Sequence, residues 1–292
     1  MRSYPADYEL ITPGNLDAVL RLLSDEPGRW TAIAGGTEIM VLFGAGKLSA
    51  RKLVSISPLS ELREIFEDED WISIGSGCSF TQIRRHAGVQ RHFPLLAKCA
   101  SWTGSIANQN RGTIGGNLAN ASPAADSSPA LFAYAAEIEL ISARGTRRIP
   151  YEQFHLGYKK IALAADELIR AVYLRKCPAD SFCYARKVGT RNAQAISKIC
   201  VAATGKLHQG RVEEIRIGMG SVAPAPLHLV GTERVLLGAA LNDATIAEAR
   251  KALLSEVAPI DDIRSTASYR KLIAGNLLEE LLREFAAWGD RK

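Results

Sequence analysis

The segment TAIAGGTEIM, Thr31 to Met40, runs from β-prone residues into two adjacent glycines, a hydroxyl and an acid, and then turns apolar again. Further along, RGTIGGNLANASPAADSSPAL, Arg111 to Leu131, repeats the pattern. Paired glycines at a strand-to-helix junction let a backbone approach a neighbour or a ligand more closely than any Cβ permits. The N–H groups of such a turn can converge into a concave nest that suits phosphate oxygens, and the start of the following helix adds its positive dipole end. Thr37 offers a hydroxyl in the first segment; Thr113 offers one in the second, and Asn117 both a donor and an acceptor. Asp126 is a carboxylate on a proline-flanked irregular stretch and can accept from sugar-like hydroxyls. Each glycine pair alone is equally a tight turn. Two of them together suit the two phosphates of a dinucleotide. Neither is GxGxxG or the GxxxxGK of a P-loop, so the two commonest phosphate loops are absent.

Hydrophobic periodicity places these segments within an α+β chain. Tyr8 to Ile11 reads as strand, Thr12-Pro13 as a helix start, and Leu16, Val19, Leu20, Leu22 and Leu23 as a helical stripe. Strand WTAIAGG, a short helix through Val41 and Leu42, and strand Lys52 to Ser57 complete a first unit, residues 1–57. A second unit, 58–177, holds strand WISIGSGCSF, a helical stretch broken at Pro94, the second glycine segment, a helix–strand–turn–strand run and strand DELIRAVYLRK. Beyond Cys177-Pro178 come strands, an Ala-Pro-Ala-Pro stretch and two amphipathic helices, around Ala244 to Val257 and Ser268 to Trp288: a third α+β domain, 178–292. The total of 292 residues fits such a division, since domains average roughly 150 residues.

Composition narrows the function classes. The net charge of +5 is spread along the chain and aromatics are only 7%, which argues against a nucleic-acid partner. The five cysteines (78, 99, 177, 183 and 200) include no CxxC pair, and the five histidines are scattered, so no disulfide framework, zinc site or iron–sulfur site is supported. The first fifteen residues have no apolar signal core and no stretch approaches a membrane span, which leads us to expect a cytoplasmic protein with free thiols and no membrane partner.

The two glycine segments, their order and separation, and the later ARKVGTR resemble the FAD-binding medium subunit of the xanthine dehydrogenase / carbon monoxide dehydrogenase family of molybdenum hydroxylases. The likeness runs from Tyr8 to about Trp288. It implies a vanillyl-alcohol-oxidase-like (PCMH-type) FAD fold in two α+β subdomains, with a C-terminal flavoprotein domain behind them. It also implies cofactor contacts. Ala32, Ile33, Ala34, Gly35, Gly36, Thr37, Glu38 and Ile39 would line the pyrophosphate and ribityl region, and Thr113, Gly116 and Asn117 would form the second loop. Asp126 would bind polar groups of FAD, Leu168 would pack near the adenine or flavin ring, and Lys187 would lie near the isoalloxazine. A cation there would stabilise the reduced, anionic ring. Catalytic residues and metal ligands are not expected on this chain.

The implied role is electron transfer. A large subunit with a molybdenum–pterin cofactor would act on the substrate, [2Fe-2S] clusters on a small subunit would carry electrons to FAD here, and NAD+, a quinone or O2 would receive them. The resemblance suggests a dimer of three-subunit units. Two departures stand out: Ala195 replaces the acid usual after the lysine, and Asn108 and Gln109 replace an Ile–Arg pair before GTIGGN. The alternatives are a stand-alone FAD-dependent oxidoreductase, which would need an acid–base pair of its own near the flavin, and a non-enzymatic assembly or scaffold homologue.

Overall fold

The computed structural model describes residues 3–176, 180–191 and 194–291. The first unit is built on a three-stranded parallel sheet. Strand β1 (Glu9–Ile11) leads to helix α1 (Leu16–Asp25), then β2 (Trp30–Ile33), helix α2 (Ile39–Gly44) and β3 (Lys52–Ser55), with spatial order β1-β3-β2. Helix α1 starts later than Thr12-Pro13 because Asn15 is the stronger cap: its side chain accepts from Ala18 N at 2.9 Å. The expected stripe then buries Leu16, Val19, Leu20 and Leu23 against Trp30 and Val54.

Strands β4 (Ile65–Glu67) and β5 (Trp71–Gly75) open the second unit. Five short helices follow: α3 (Phe80–Arg85), α4 (Ala87–His92), α5 (Pro94–Trp102), α6 (Ile106–Arg111) and α7 (Ile114–Asn120). The expected break at Pro94 is present, with proline in the first turn of α5, and a second falls at His86, whose extended backbone ends α3 while its ring caps α4. Helix α8 (Ser128–Ala133) precedes the hairpin β6 (Glu137–Ser142) and β7 (Gly145–Pro150), the small pair β8 (His155–Gly157) and β9 (Lys160–Ile161), and β10 (Leu168–Arg175). The five-stranded sheet is antiparallel, in order β4-β5-β10-β6-β7. Its central strand serves two cores. Leu168 packs with the first unit and Ile169 with the second, and a register shift between Ile169 and Ala171 re-aims the strand where it passes from one to the other.

The third unit is the antiparallel sheet β11 (Phe182–Val188), β12 (Ile199–His208), β13 (Arg211–Gly220) and β14 (Leu227–His228), covered by α9 (Val230–Leu236), α10 (Asp243–Glu256) and α11 (Ala267–Gly289). Helix α9 has no counterpart in the sequence reading; its first-turn N–H groups on Gly231 and Thr232 donate to the Glu256 carboxylate from α10 at 2.8 and 2.7 Å, a cap supplied from far along the chain. In α11, Ala274, Leu277, Leu278, Leu281, Leu282 and Phe285 recur at helical spacing and are all buried. The sheet lies close on α8, every residue of which is buried; at Gly218 a Cβ would stand 2.5 Å from Pro129 O, so only glycine permits the approach. The cysteines among the described residues are free, and burial pushes the thiols of Cys78, Cys99 and Cys200 up, to about 11 for Cys78. Cys177, Asn192 and Ala193 lie outside the described residues.

Candidate cofactor site

The four glycines of the two pairs have four different jobs. At Gly35 a Cβ would fall 1.8 Å from the backbone oxygen of Arg111, so the first loop presses directly on the chain entering the second. Gly36 has φ +73°, the left-handed conformation that L side chains resist. At Gly115 a Cβ would meet Ser76 Cβ at 2.5 Å, and its N–H donates to Ser76 O at 2.8 Å, which holds the second loop against the end of β5. At Gly116, which lines the cleft, a Cβ would meet Thr113 Oγ1 at 3.0 Å, a tight contact that the hydroxyl must yield to by a few tenths of an ångström.

The polar groups follow from this backbone. Among the described residues, the N–H groups of Gly35, Gly36, Thr37 and Glu38 have no hydrogen-bond acceptor within the protein. Gly35, Gly36 and Thr37 are half-buried and Glu38 is exposed, so these four successive donors are open to solvent or to an acceptor bound in the cleft. In the second loop Thr113 caps α7, its hydroxyl accepting from Gly116 N at 3.0 Å, which leaves the hydroxyl proton free to donate. Asn117 Oδ1 accepts from Ser127 Oγ at 2.7 Å, leaving its NH2 to donate.

Both loops face one cleft with two connected compartments. The first, about 330 Å³, is mostly apolar and is lined by Trp30, Ile56, Leu163, Leu168 and Ile169. The second, about 430 Å³, is walled by the first glycine loop and by Thr103, Gly104, Asn108, Asn117 and Asn120. Thr31, Ala32, Ala34, Thr113, Gly116 and Ala119 line both. Of the residues expected from sequence, Ala32, Ala34, Gly35, Gly36, Thr37, Glu38, Ile39, Thr113, Gly116, Asn117 and Leu168 stand on this cleft.

Ile33, Asp126 and Lys187 do not line it. Asp126 is 7% exposed and its two oxygens are already engaged, one accepting from Lys187 Nζ at 2.8 Å and the other from Ser197 Oγ at 2.5 Å. Folding therefore places Asp126 in a buried ion pair with Lys187, outside the residues that line the cleft. That burial pushes its carboxyl above the usual range, against the opposing pull of Lys187. Lys187 also donates to Trp102 O at 2.9 Å, which sets the ammonium directly behind the Thr103–Gly104 wall of the second compartment rather than in it. The departures noted in sequence have local work. Asn108 completes a capping box with Ser105 and lines the cleft; Gln109 is buried, accepting from Arg84 at 2.9 Å and donating to Ser101 O at 2.9 Å; Ala195 is packed inside. Ser76, Thr103 and Gly104 line the cleft without any local motif to announce them. Among the described residues no cluster of His, Cys, Asp or Glu could hold a metal, and no helix is long and apolar enough to cross a membrane.

A parallel α/β unit and an antiparallel one that close two glycine loops over a shared cleft, with a third α+β unit behind, define the class of FAD-binding flavoproteins of this architecture. Comparison with known proteins gives the family. Residues 6–176 match the family described as FAD binding domain in molybdopterin dehydrogenase, and residues 184–285 match the CO dehydrogenase flavoprotein C-terminal domain. The chain is 32% identical over 270 residues to the xanthine dehydrogenase FAD-binding subunit of Escherichia coli, covering 92% of each. It is 32% identical over 272 residues to the nicotinate dehydrogenase FAD-subunit of Eubacterium barkeri, covering 91% of each. In three dimensions it is similar to a chain of the carbon monoxide dehydrogenase of Hydrogenophaga pseudoflava, with a TM-score of 0.92, 26% identity and coverage of 98% and 99%. The chain belongs to the FAD-binding family of molybdopterin dehydrogenases, and its homologues are oxidoreductase subunits.

Proposed function

We propose that this chain is the FAD-binding electron-transfer subunit of a molybdenum hydroxylase complex, taking electrons from [2Fe-2S] clusters on a small partner subunit and passing them to NAD+, a quinone or O2, while a molybdenum–pterin large subunit carries the substrate chemistry. The observation that carries the reading is the run of four unpaired N–H groups, Gly35 to Glu38, on the wall of a cleft whose opposite side is lined by Gly116. Such a cradle fits a pyrophosphate, whose oxygens accept from backbone donors without needing a counter-charge. The names of the relatives support it, since they are FAD-binding subunits and medium chains of dehydrogenases.

When bound, FAD supplies a carrier that can be filled one electron at a time and emptied two at a time. The chain's own residues would hold and orient it. Gly35 to Glu38 would donate to the pyrophosphate from one side, and Thr113 and the Asn117 amide would donate from the other. Ala32, Ala34 and Ile39 give the apolar floor, and Leu168 gives a face for a ring. Lys187, clamped by Asp126 and Trp102 O, adds positive charge behind the second compartment without occupying it. Purification of the chain under native conditions from its source tests the assembly. We expect two further chains to co-purify, with molybdenum, iron and FAD in fixed ratio. A flavoprotein that purifies alone and turns over a substrate by itself would favour the stand-alone oxidoreductase and overturn the proposal.

A further inference from the structure

Basic residues are spread along the chain, but acidic ones are not. From Trp71 to Ala125 there is no Asp or Glu, while Arg84, Arg85, Arg91, Lys98 and Arg111 all fall within the stretch. These five cations equal the net charge of +5, so the rest of the chain is balanced. The stretch folds into helices α3 to α7, and three of them are tied into one row. Thr81 Oγ1 donates to Asn110 Oδ1 at 2.6 Å and Arg84 donates to Gln109 Oε1 at 2.9 Å, which joins α3 to α6; Gln90 donates to Arg84 O at 2.8 Å, which joins α4 to α3. Arg85, Arg91 and Arg111 on this row are exposed, and among the described residues none of the three has an ion-pair partner. Glu67, which reaches α4 at His92, is already paired with Lys176 at 2.8 Å. Cations gathered without acids create a positive potential that an anionic surface relieves.

Beside the row stands an apolar helix that folding leaves uncovered. Helix α2 reads Ile-Met-Val-Leu-Phe-Gly and buries none of its residues; Met40 and Val41 are 56% and 65% exposed. On α6, Ile106 is 68% exposed. The close packing of Gly35 on Arg111 O brings the two helices to one place, and Ile39 of α2 and Asn108 of α6 both line the second compartment. A helix apolar all round is normally buried, and exposed apolar surface rimmed by charge has the composition of a protein interface. We propose that Met40, Val41 and Ile106, ringed by Arg85, Arg91 and Arg111, form the docking surface for the chain that reduces the flavin, and that this partner presents an apolar patch among acids. The proposal rests on the electron-transfer reading above and extends it to the surface and the charge of the partner. An electron donor has to come close to the group it reduces, and a chain seated on α2 and α6 stands at the rim of the second compartment. A nucleic acid is also anionic, but no Phe, Trp or Tyr on α3, α4 or α6 is exposed to stack on its bases.

The test uses the complex purified from its source through an affinity tag on this chain, with retained iron per flavin read at rising salt. Arg85→Glu, Arg91→Glu and Arg111→Glu together should lower that ratio roughly tenfold or more, because repulsion replaces attraction at three places. The neutral set, Arg85→Gln, Arg91→Gln and Arg111→Gln, should lower it less, by a factor that shrinks as salt screens the wild-type attraction; it decides the matter where the reversed set does not fold. Met40→Ser with Ile106→Ser should lower it at every salt concentration. A matched reversal on the balanced surface, Arg21→Glu, Lys251→Glu and Lys271→Glu, should keep wild-type iron. Wild-type iron in the reversed and neutral sets would overturn the proposal, and so would an equal loss from the matched control. Nucleic acid recovered with the wild-type chain in place of iron, and lost from the neutral set, would give the face to a different partner and overturn it too. A wild-type chain that brings FAD but no iron would overturn the electron-transfer reading beneath, and that failure is seen in the wild-type sample alone.

Discussion

Replacing Gly36 by alanine isolates the conformational demand of the first loop. Gly36 has φ +73°, and an L residue held there costs about 1–2 kcal/mol. Space adds nothing to that cost. The new Cβ would lie 3.4 Å from Met40 Cγ and 3.8 Å from Ile33 Cδ1, both ordinary contacts. The free chain can escape the strain by letting the loop relax, which turns the Gly35 to Glu38 N–H groups away from one another. Binding must then restore the strained loop, so the full 1–2 kcal/mol enters the affinity and FAD should bind about 5- to 30-fold more weakly. The melting temperature should fall by no more than a few degrees. Gly35→Ala is the contrast: its Cβ would be driven to 1.8 Å from a backbone oxygen, which no side-chain movement relieves, so the packing between the first two units should fail. Flavin fluorescence titration alongside thermal melting reads both. A Gly36→Ala chain that binds FAD with wild-type affinity would refute the role given to the four N–H groups.

Further predictions concern the rest of the cleft and the buried charges. Gly116→Ala should weaken FAD about tenfold or more, because Gly116 lines the cleft, and should lower the melting temperature by no more than a few degrees, because its methyl presses on the capping Thr113 hydroxyl while alanine favours helix α7; an unchanged FAD affinity would contradict this. Lys187→Met should destabilise the protein at neutral pH by about 3–5 kcal/mol by leaving Asp126 buried and unpaired, and Asp126→Asn in the same chain should recover much of it. Burial already raises the Asp126 carboxyl above its ordinary 3.8 and losing Lys187 raises it further, so the folded variant holds a proton that the unfolded chain releases. The penalty should therefore shrink as pH falls toward that ordinary value; denaturant unfolding at two pH values showing an equal penalty would contradict the pairing. His155 behaves oppositely. Burial lowers its imidazole to about 4 from 6.5, so its stability contribution is complete above 6.5 and is lost as pH falls toward 4, by up to roughly 3 kcal/mol. His155→Gln should flatten that part of the stability–pH profile.

The sequence revealed most where the determinants are local. The two glycine pairs, their hydroxyls and the alternation of strand and helix are short-range features, and they led to both loops of the cleft; Leu168 on its wall came only from the family resemblance. Local reading also produced the errors. Thr12-Pro13 looked like a helix start because proline favours the first turn, but Asn15 caps the helix. Helix α9 escaped because its cap comes from Glu256, far along the chain. The burial of Asp126 was also illegible, because its flanking prolines suggest an exposed loop while its partners, Lys187 and Ser197, lie 61 and 71 residues away, and only folding brings them to it. The glycines teach the same lesson. Two identical dipeptides conceal one backbone contact, one left-handed turn, one seat on Ser76 and one place on the cleft wall, and nothing in the dipeptide says which is which.

The most direct test of the account is the visible spectrum of the purified full-length chain, recorded before and after heating, with FAD titrated back onto the stripped protein. The account predicts flavin absorption bands, FAD released on denaturation, and saturable rebinding that is weakened in the Gly36→Ala and Gly116→Ala variants. A folded, colourless chain that takes up no added FAD, whether alone or in the complex purified from its source, would contradict it.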